Sequence, residues 1–147
     1  MEKDRFILFS TFLNDAQKSL ARIKHKKMDS FGLGSAHTLC MCLLEERPQG
    51  VTKSELARLC GVDKAQISRV VSDILEKNYA SISNPECNYR QKYVLTEEGR
   101  AIAVEMRKLI LEINTFVSEN IPADQIDNFY DTFKVICSNL KKAEKTF

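Results

Sequence analysis

The chain has 147 residues, with 22 Lys and Arg against 20 Asp and Glu and a net charge of +2. That length suits one domain with its own core, and the near-neutral balance leaves only local charge to mark a nucleic-acid partner. No run of about 18 apolar residues is present, which excludes a membrane-spanning helix, and the five cysteines make no zinc-type Cys/His pattern.

The opening Met1-Glu2-Lys3-Asp4-Arg5 mixes acids with bases and precedes no long apolar stretch. No signal peptide is expected, and a cytoplasmic protein with reduced thiols is. No cofactor and no metal is called for. Only 5 Gly and 3 Pro imply a mostly helical chain.

Apolar residues at Phe6, Phe9, Leu13, Ala16, Leu20 and Ile23 alternate in steps of three and four. They predict a helix over about 4–27 with one stripe, close to a coiled-coil seam. Its basic end, Arg22, Lys24, Lys26 and Lys27, complements the helix dipole. Gly32-Leu33-Gly34 breaks the chain. Ser35 is then expected to cap a helix reaching about 47. The centre of that helix, Leu39-Cys40-Met41-Cys42-Leu43-Leu44, is apolar almost all round, as in a buried helix.

Thr52 and Glu55 fit a capping box, opening a short helix over 53–60. Gly61 permits the left-handed residue that stops it. Asp63 caps a further helix to about Lys77, and Asn78 tolerates the left-handed conformation after it. Small Ala57, the Gly61 turn and apolar Ile67 meet the needs of a helix-turn-helix pair. Such pairs also occur in proteins that bind nothing.

The second helix narrows the reading. Ile67, Val70, Val71 and Ile74 make its buried face. The other face shows Ala65, Gln66, Arg69 and Asp73, flanked by Lys64 and Ser68. Gln pairs with adenine and Arg with guanine in two places each, for roughly 1–3 kcal/mol of discrimination per pair. Lys64 and Ser54 suit phosphates, which position without reading sequence. A solvated amphipathic face is the plainer alternative.

Strands are predicted over 80–84 and 91–95, around the turn Pro85-Glu86-Cys87-Asn88. Arg90 and Lys92 fall on one strand face near the tip, where a cation suits a narrow A·T minor groove. Thr96 caps a helix over about 97–120, and Pro122 opens a last one with the stripe Ile126, Phe129, Phe133, Ile136 and Leu140. The fold class is mainly α with a small β-hairpin wing: a winged helix-turn-helix of about six helices.

The chain resembles the MarR family of winged-helix transcription regulators over nearly its whole length. The resemblance lies in the order of elements and in four stretches. These are Ser54-Glu55-Leu56-Ala57, then Asp63 to Val71, then Leu75-Glu76-Lys77, and Tyr89-Arg90-Gln91-Lys92-Tyr93-Val94-Leu95-Thr96-Glu97-Glu98-Gly99. The last resembles the family's wing, whose arginine precedes a Leu-Thr-x-x-Gly helix start. By matching position, the resemblance assigns major-groove contact to Gln66, Ser68 and Arg69, and minor-groove contact to Arg90. Three features depart from the pattern. Asn88 stands where an aspartate is common, Asn78 replaces a usual glycine, and the strand from Arg90 to Leu95 is one residue short.

The resemblance also implies one domain over 1–147. Its helices at 1–30 and 100–147 would pair two copies, and 35–98 would be the DNA-binding lobe. The two recognition helices would then lie roughly 34 Å apart on a near-palindrome of double-stranded DNA. Aromatic-led terminal stripes with Phe6, Phe9, Phe12, Phe129, Tyr130 and Phe133 support a homodimer independently. Family members often answer small phenolic or lipophilic effectors, or oxidants. His37, Cys40 and Met41 are the ligand candidates in this chain. Oxidant-sensing members use a cysteine on the first helix, and none precedes Cys40. Cys40, Cys42, Cys60 and Cys137 are expected to be packing groups, with Cys87 the exposed candidate beside Arg90. The expected function is a promoter-occluding repressor, not an enzyme. A helical adaptor without DNA and a thiol-based redox regulator are the alternatives.

Overall fold

The computed structural model describes residues 2–147, and the side chains of residues 4–27 and 29–147. Its elements are α1 (Glu2–Met28), a 3-10 turn (Asp29–Phe31), α2 (Ser35–Glu45), β1 (Val51–Thr52), α3 (Lys53–Cys60), α4 (Lys64–Glu76), β2 (Ala80–Ile82), β3 (Lys92–Leu95), α5 (Glu97–Val117) and α6 (Ala123–Ala143). The chain forms two compact units, one ending at Lys108 and one spanning Leu109–Phe147.

The first unit holds the core. α2, α3 and α4 close around Cys40, Met41, Leu44, Leu56, Ile67, Val71 and Ile74, all essentially without solvent exposure. Met106 of α5 and Val51 of β1 complete this cluster. The sheet runs β1-β3-β2, antiparallel, with Val51 opposite Tyr93 and Ala80 opposite Leu95. The first strand was not expected. Two residues are too short to display the period-two pattern that marks a strand. The hairpin strands are also shorter than expected, because the Asn84 side chain accepts the Lys92 N–H at 2.7 Å and takes over from the ladder.

Ser35 does not cap α2. Gly34 holds the extended cap position without a side-chain hydrogen bond, and the Thr38 hydroxyl donates to its carbonyl at 3.1 Å. α2 ends at Glu45, short of the expected 47. There Arg107 gathers the Glu45 carboxylate at 2.8 Å, the Glu46 carboxylate at 3.0 Å and the Cys42 carbonyl at 3.2 Å. Leu39 stays 44% exposed, so α2 is not buried on every side.

The second unit contains the end of α5 and all of α6. Asn120 is left-handed (φ 64°), and Pro122 is the N-cap of α6, one position earlier than expected. Phe129 stacks on Phe133 at 5.6 Å and meets Tyr130 edge-on at 5.5 Å. No residue of α6 is buried.

Two local devices fix the helix-turn-helix and wing. The first is the capping box of α3. Thr52 Oγ1 accepts the Glu55 N–H, and the Glu55 carboxylate accepts the Thr52 N–H at 3.0 Å. The second is the join between hairpin and α5. Thr96 Oγ1 accepts the Gly99 N–H at 3.0 Å and donates to the Asn78 carbonyl at 2.7 Å, while the Thr96 N–H donates to Tyr79 O at 3.0 Å. A Cβ on Gly99 would overlap that Tyr79 carbonyl. The glycine in the Leu-Thr-x-x-Gly stretch is therefore a close-approach residue, since only hydrogen fits between the two backbones.

Gly99→Ala should cost about 3 kcal/mol, because backbone must move to admit the methyl; urea unfolding measures it, and a neutral result would contradict this packing. Thr52→Ala should cost about 1 kcal/mol as a lost N-cap. The Thr52 N–H and hydroxyl hold the Glu55 carboxyl below its usual range. A lowered folded value adds stability above the ordinary carboxylate pKa, lost as pH falls through the folded value. The gap between Thr52→Ala and the parent should therefore narrow from neutral pH to about pH 3, as read by paired urea titrations.

Candidate nucleic-acid interface

The turn between α3 and α4 sets the interface. Gly61 is left-handed (φ 67°), and the Val62 N–H reaches back to the Ala57 carbonyl at 3.1 Å. Buried Ala57 leaves room for that close return. Asp63 Oδ1 then accepts the Gln66 N–H at 2.7 Å and starts α4. Ile67, Val70, Val71 and Ile74 are all buried, as their spacing predicts. Helical geometry turns the remaining face outward. Lys64, Ala65, Gln66 and Arg69 are exposed, and Ser68 is half-buried.

Asp73 has a more specific place than the open face expected for it. It is half-buried, and His37 Nε2 of α2 lies 2.8 Å from its Oδ2. His37 thus ties α2 to α4, with its Nδ1 buried and without a hydrogen-bond partner among the described residues.

The wing differs from expectation in one respect. Arg90 and Lys92 do not share a strand face. β3 begins at Lys92, and Arg90 precedes it in a left-handed conformation (φ 51°). Alternation therefore does not apply to the pair. Both side chains are exposed. The Arg90 guanidinium lies 5.6 Å from the Tyr89 ring, a cation–π contact. Asn88, at the family's aspartate position, is not its partner among the described contacts. Arg90, Asn88, Tyr89 and Gln91 line a polar cleft of about 400 Å³ with Lys53 and Ser54 of α3. Ser54 and Arg90, far apart in sequence, thus border one cleft.

Lys53 and Tyr89 were not singled out in the sequence. Lys53 stands over the buried Tyr93 ring at 5.8 Å, which points a cation along the cleft. An aromatic next to the wing arginine was the available signal for Tyr89. It is 77% exposed, unusual for a tyrosine with only a packing role.

The ligand candidates separate. Cys40 and Met41 have no exposed surface, so neither offers a contact to a ligand in this conformation. Their side of α2 packs into the core. His37 is engaged by Asp73. A cavity of about 240 Å³ lies elsewhere, between α1, the 3-10 turn and the start of α2, lined by Ala21, Lys24, His25, Asp29, Leu33, Gly34 and Ser35.

No family model matches the chain. It is similar to the HTH-type transcriptional regulator TcaR of Staphylococcus aureus strains Newman and COL, 21% identical over 142 residues, covering 95% of this chain and 93% of the relative. A crystallised MarR family transcription regulator superposes with a TM-score of 0.83 at 16% identity, over 98% of this chain and 95% of that one. The DNA complex of S. aureus MepR gives 0.82 at 13% identity, over 90% and 96%. CouR of Rhodococcus jostii RHA1, bound to p-coumaroyl-CoA, gives 0.75 at 20% identity, over 87% and 90%. With its capped helix-turn-helix, three-stranded wing and flanking long helices, the chain has the winged-helix fold of the MarR family regulators.

Proposed function

We propose that the chain is a sequence-specific DNA-binding transcription regulator, acting as a homodimer that occludes a near-palindromic site on double-stranded DNA. The observation that carries this is the outward face of α4, with Gln66 and Arg69 exposed over a buried Ile67/Val70/Val71/Ile74 face. Gln66, Ser68 and Arg69 would read base edges, with Ala65 admitting close approach. Lys64 and Ser54 would hold phosphates. Arg90 and Lys92 would take the flanking minor groove, with Lys53 adding charge along the wing cleft. The solved MepR–DNA complex supports this use of the fold.

The dimer reading rests on apolar surface. Phe6 and Phe12 of α1, Phe116 of α5, and Phe129 and Tyr130 of α6 are each more than half exposed. Large apolar side chains left exposed along long helices mark a protein interface. Residues 1–30 and 100–147 are the proposed dimerisation helices, and 35–98 the DNA-binding lobe of a single domain. A regulator of this kind works in the cytoplasm, and among the described residues no helix is long and apolar enough to cross a membrane. A small phenolic or lipophilic effector is the proposed signal. CouR, crystallised with p-coumaroyl-CoA, is the supporting precedent in this fold.

A rival reading keeps the fold as a protein adaptor. Its main support was the near-neutral α4, where Asp63, Asp73 and Glu76 offset Lys64, Arg69 and Lys77. Two of those acids have local work. Asp63 caps the helix, and Asp73 is paired with His37. Neither needs a partner protein to explain it.

Selection of bound fragments from a random DNA pool tests the proposal and its half-site spacing together. On the selected site, Arg69→Ala should lose roughly 1–3 kcal/mol and relax preference at one base position. Arg90→Ala should weaken binding chiefly where the flanks are A·T-rich. Affinity should also fall steeply as salt rises, which an apolar adaptor contact would not do. No enriched sequence, or both variants matching the parent, would refute the assignment.

A further inference from the structure

The cleft between α3 and the wing has an uneven charge balance. Two cations border it, Lys53 and Arg90, and none of its lining residues is an acid. The Glu55 carboxylate is turned instead to the Thr52 N–H and hydroxyl, each at 3.0 Å. Neither cation joins an ion pair among the described residues. Each stands by a ring: Lys53 lies 5.8 Å from Tyr93, and Arg90 lies 5.6 Å from Tyr89. The rings differ in what else they do. Tyr93 is buried in the core, whereas Tyr89 is 77% exposed.

Tyr89 and Arg90 are sequence neighbours, and neighbours on an extended strand point to opposite faces. They meet because Arg90 is left-handed (φ 51°). Glycine takes that conformation freely, whereas a residue with a Cβ is strained in it. A strained arginine with its guanidinium over an exposed ring marks a built pair rather than two loose surface groups. We propose that Tyr89 is the positioning residue of Arg90, its ring holding the guanidinium in place for the flanking minor groove. This role rests on the DNA-binding function proposed above. Asn88 carries no charge with which to do the same. A ring also does what a carboxylate would not. Its quadrupole attracts the cation without cancelling the charge, so Arg90 keeps its full pull on the negative potential of a narrow groove.

The role dictates a pattern of substitutions. Tyr89→Phe keeps the ring and should keep the affinity. Tyr89→Leu keeps apolar bulk without a π face and should behave as Tyr89→Ala. Without the ring, the guanidinium must be ordered at the moment of binding. Both variants should therefore lose roughly two- to fivefold on a site with A·T-rich flanks, the worth of an exposed cation–π contact. G·C-rich flanks, whose minor groove attracts the arginine less, should show little loss. With Arg90→Ala already in place, Tyr89→Ala should add nothing, since it acts through the arginine.

The test uses the full chain and a DNA fragment selected from a random pool, synthesised with either kind of flank. Anisotropy titrations compare the parent, the three Tyr89 variants, Arg90→Ala and the Tyr89→Ala/Arg90→Ala pair. NMR of the Arg90 Nε–H reads the contact without DNA. Its proton should move downfield in Tyr89→Ala and Tyr89→Leu, as the ring current is lost, and stay in place in Tyr89→Phe. An unmoved resonance in Tyr89→Ala, or a Tyr89→Ala affinity equal to the parent's, would overturn the role. So would Tyr89→Phe binding as weakly as Tyr89→Ala, or an undiminished loss in the Arg90→Ala background, because Tyr89 would then touch DNA on its own account. An equal loss on both flanks with a lowered Tm would make the residue merely structural and overturn it too. If the parent selects no DNA, the proposed function fails and this role with it. If the parent binds and only the Tyr89 pattern is missing, the function stands and the role alone falls.

Discussion

The burial of one face of α4 is the constraint on which everything else depends. Ile67, Val70, Val71 and Ile74 are all withdrawn from water, and burying each of them stabilises the fold by roughly 1.5–3 kcal/mol. Once these four point inward, the 3.6-residue period leaves Gln66 and Arg69 no direction but outward. No separate device is needed to present them. The core that stabilises the lobe is also what aims it. Gly61 behind the helix and the His37–Asp73 bond on its flank limit what freedom of rotation remains.

Much of this was legible in the sequence, for local reasons. The Thr52–Glu55 box, the Asp63 cap and the left-handed Gly61 and Asn78 each depend on residues within a few positions of one another. Such devices declare themselves in one dimension. What could not be read were relations across the chain. β1 exists because Val51 finds Tyr93, and two residues carry no period of their own. Ser35 had the right chemistry for a cap, yet Gly34 took the position, and its carbonyl accepts both the N–H and the hydroxyl of Thr38. Arg90 looked like a strand residue until its left-handed backbone placed it in the loop.

The candidate site divides along the same line. Lys64, Ala65, Gln66 and Arg69 lie where helical period sends them. Ser54 and Arg90 meet at one cleft only through the fold, and Lys53 and Tyr89 join them there without any sequence pattern to announce it. The ligand candidates show the same limit. Residue type suggested a ligand site at His37, Cys40 and Met41; the burial of Cys40 and Met41 and the pairing of His37 with Asp73 are relations that residue type does not announce.

The acids on α4 carry a consequence for how such a protein would find its target. Charge attraction to the phosphate backbone supplies nearly all of a regulator's grip on random DNA. On the proposed reading, α4 would have its cations offset by Asp63, Asp73 and Glu76, so that this helix would add little to that grip. A molecule built this way would spend less of its time sliding along irrelevant stretches of chromosome and more of it free in solvent. Its residence anywhere would then be decided by the match between Gln66, Arg69 and the bases they meet, and few copies would suffice to keep a single address occupied.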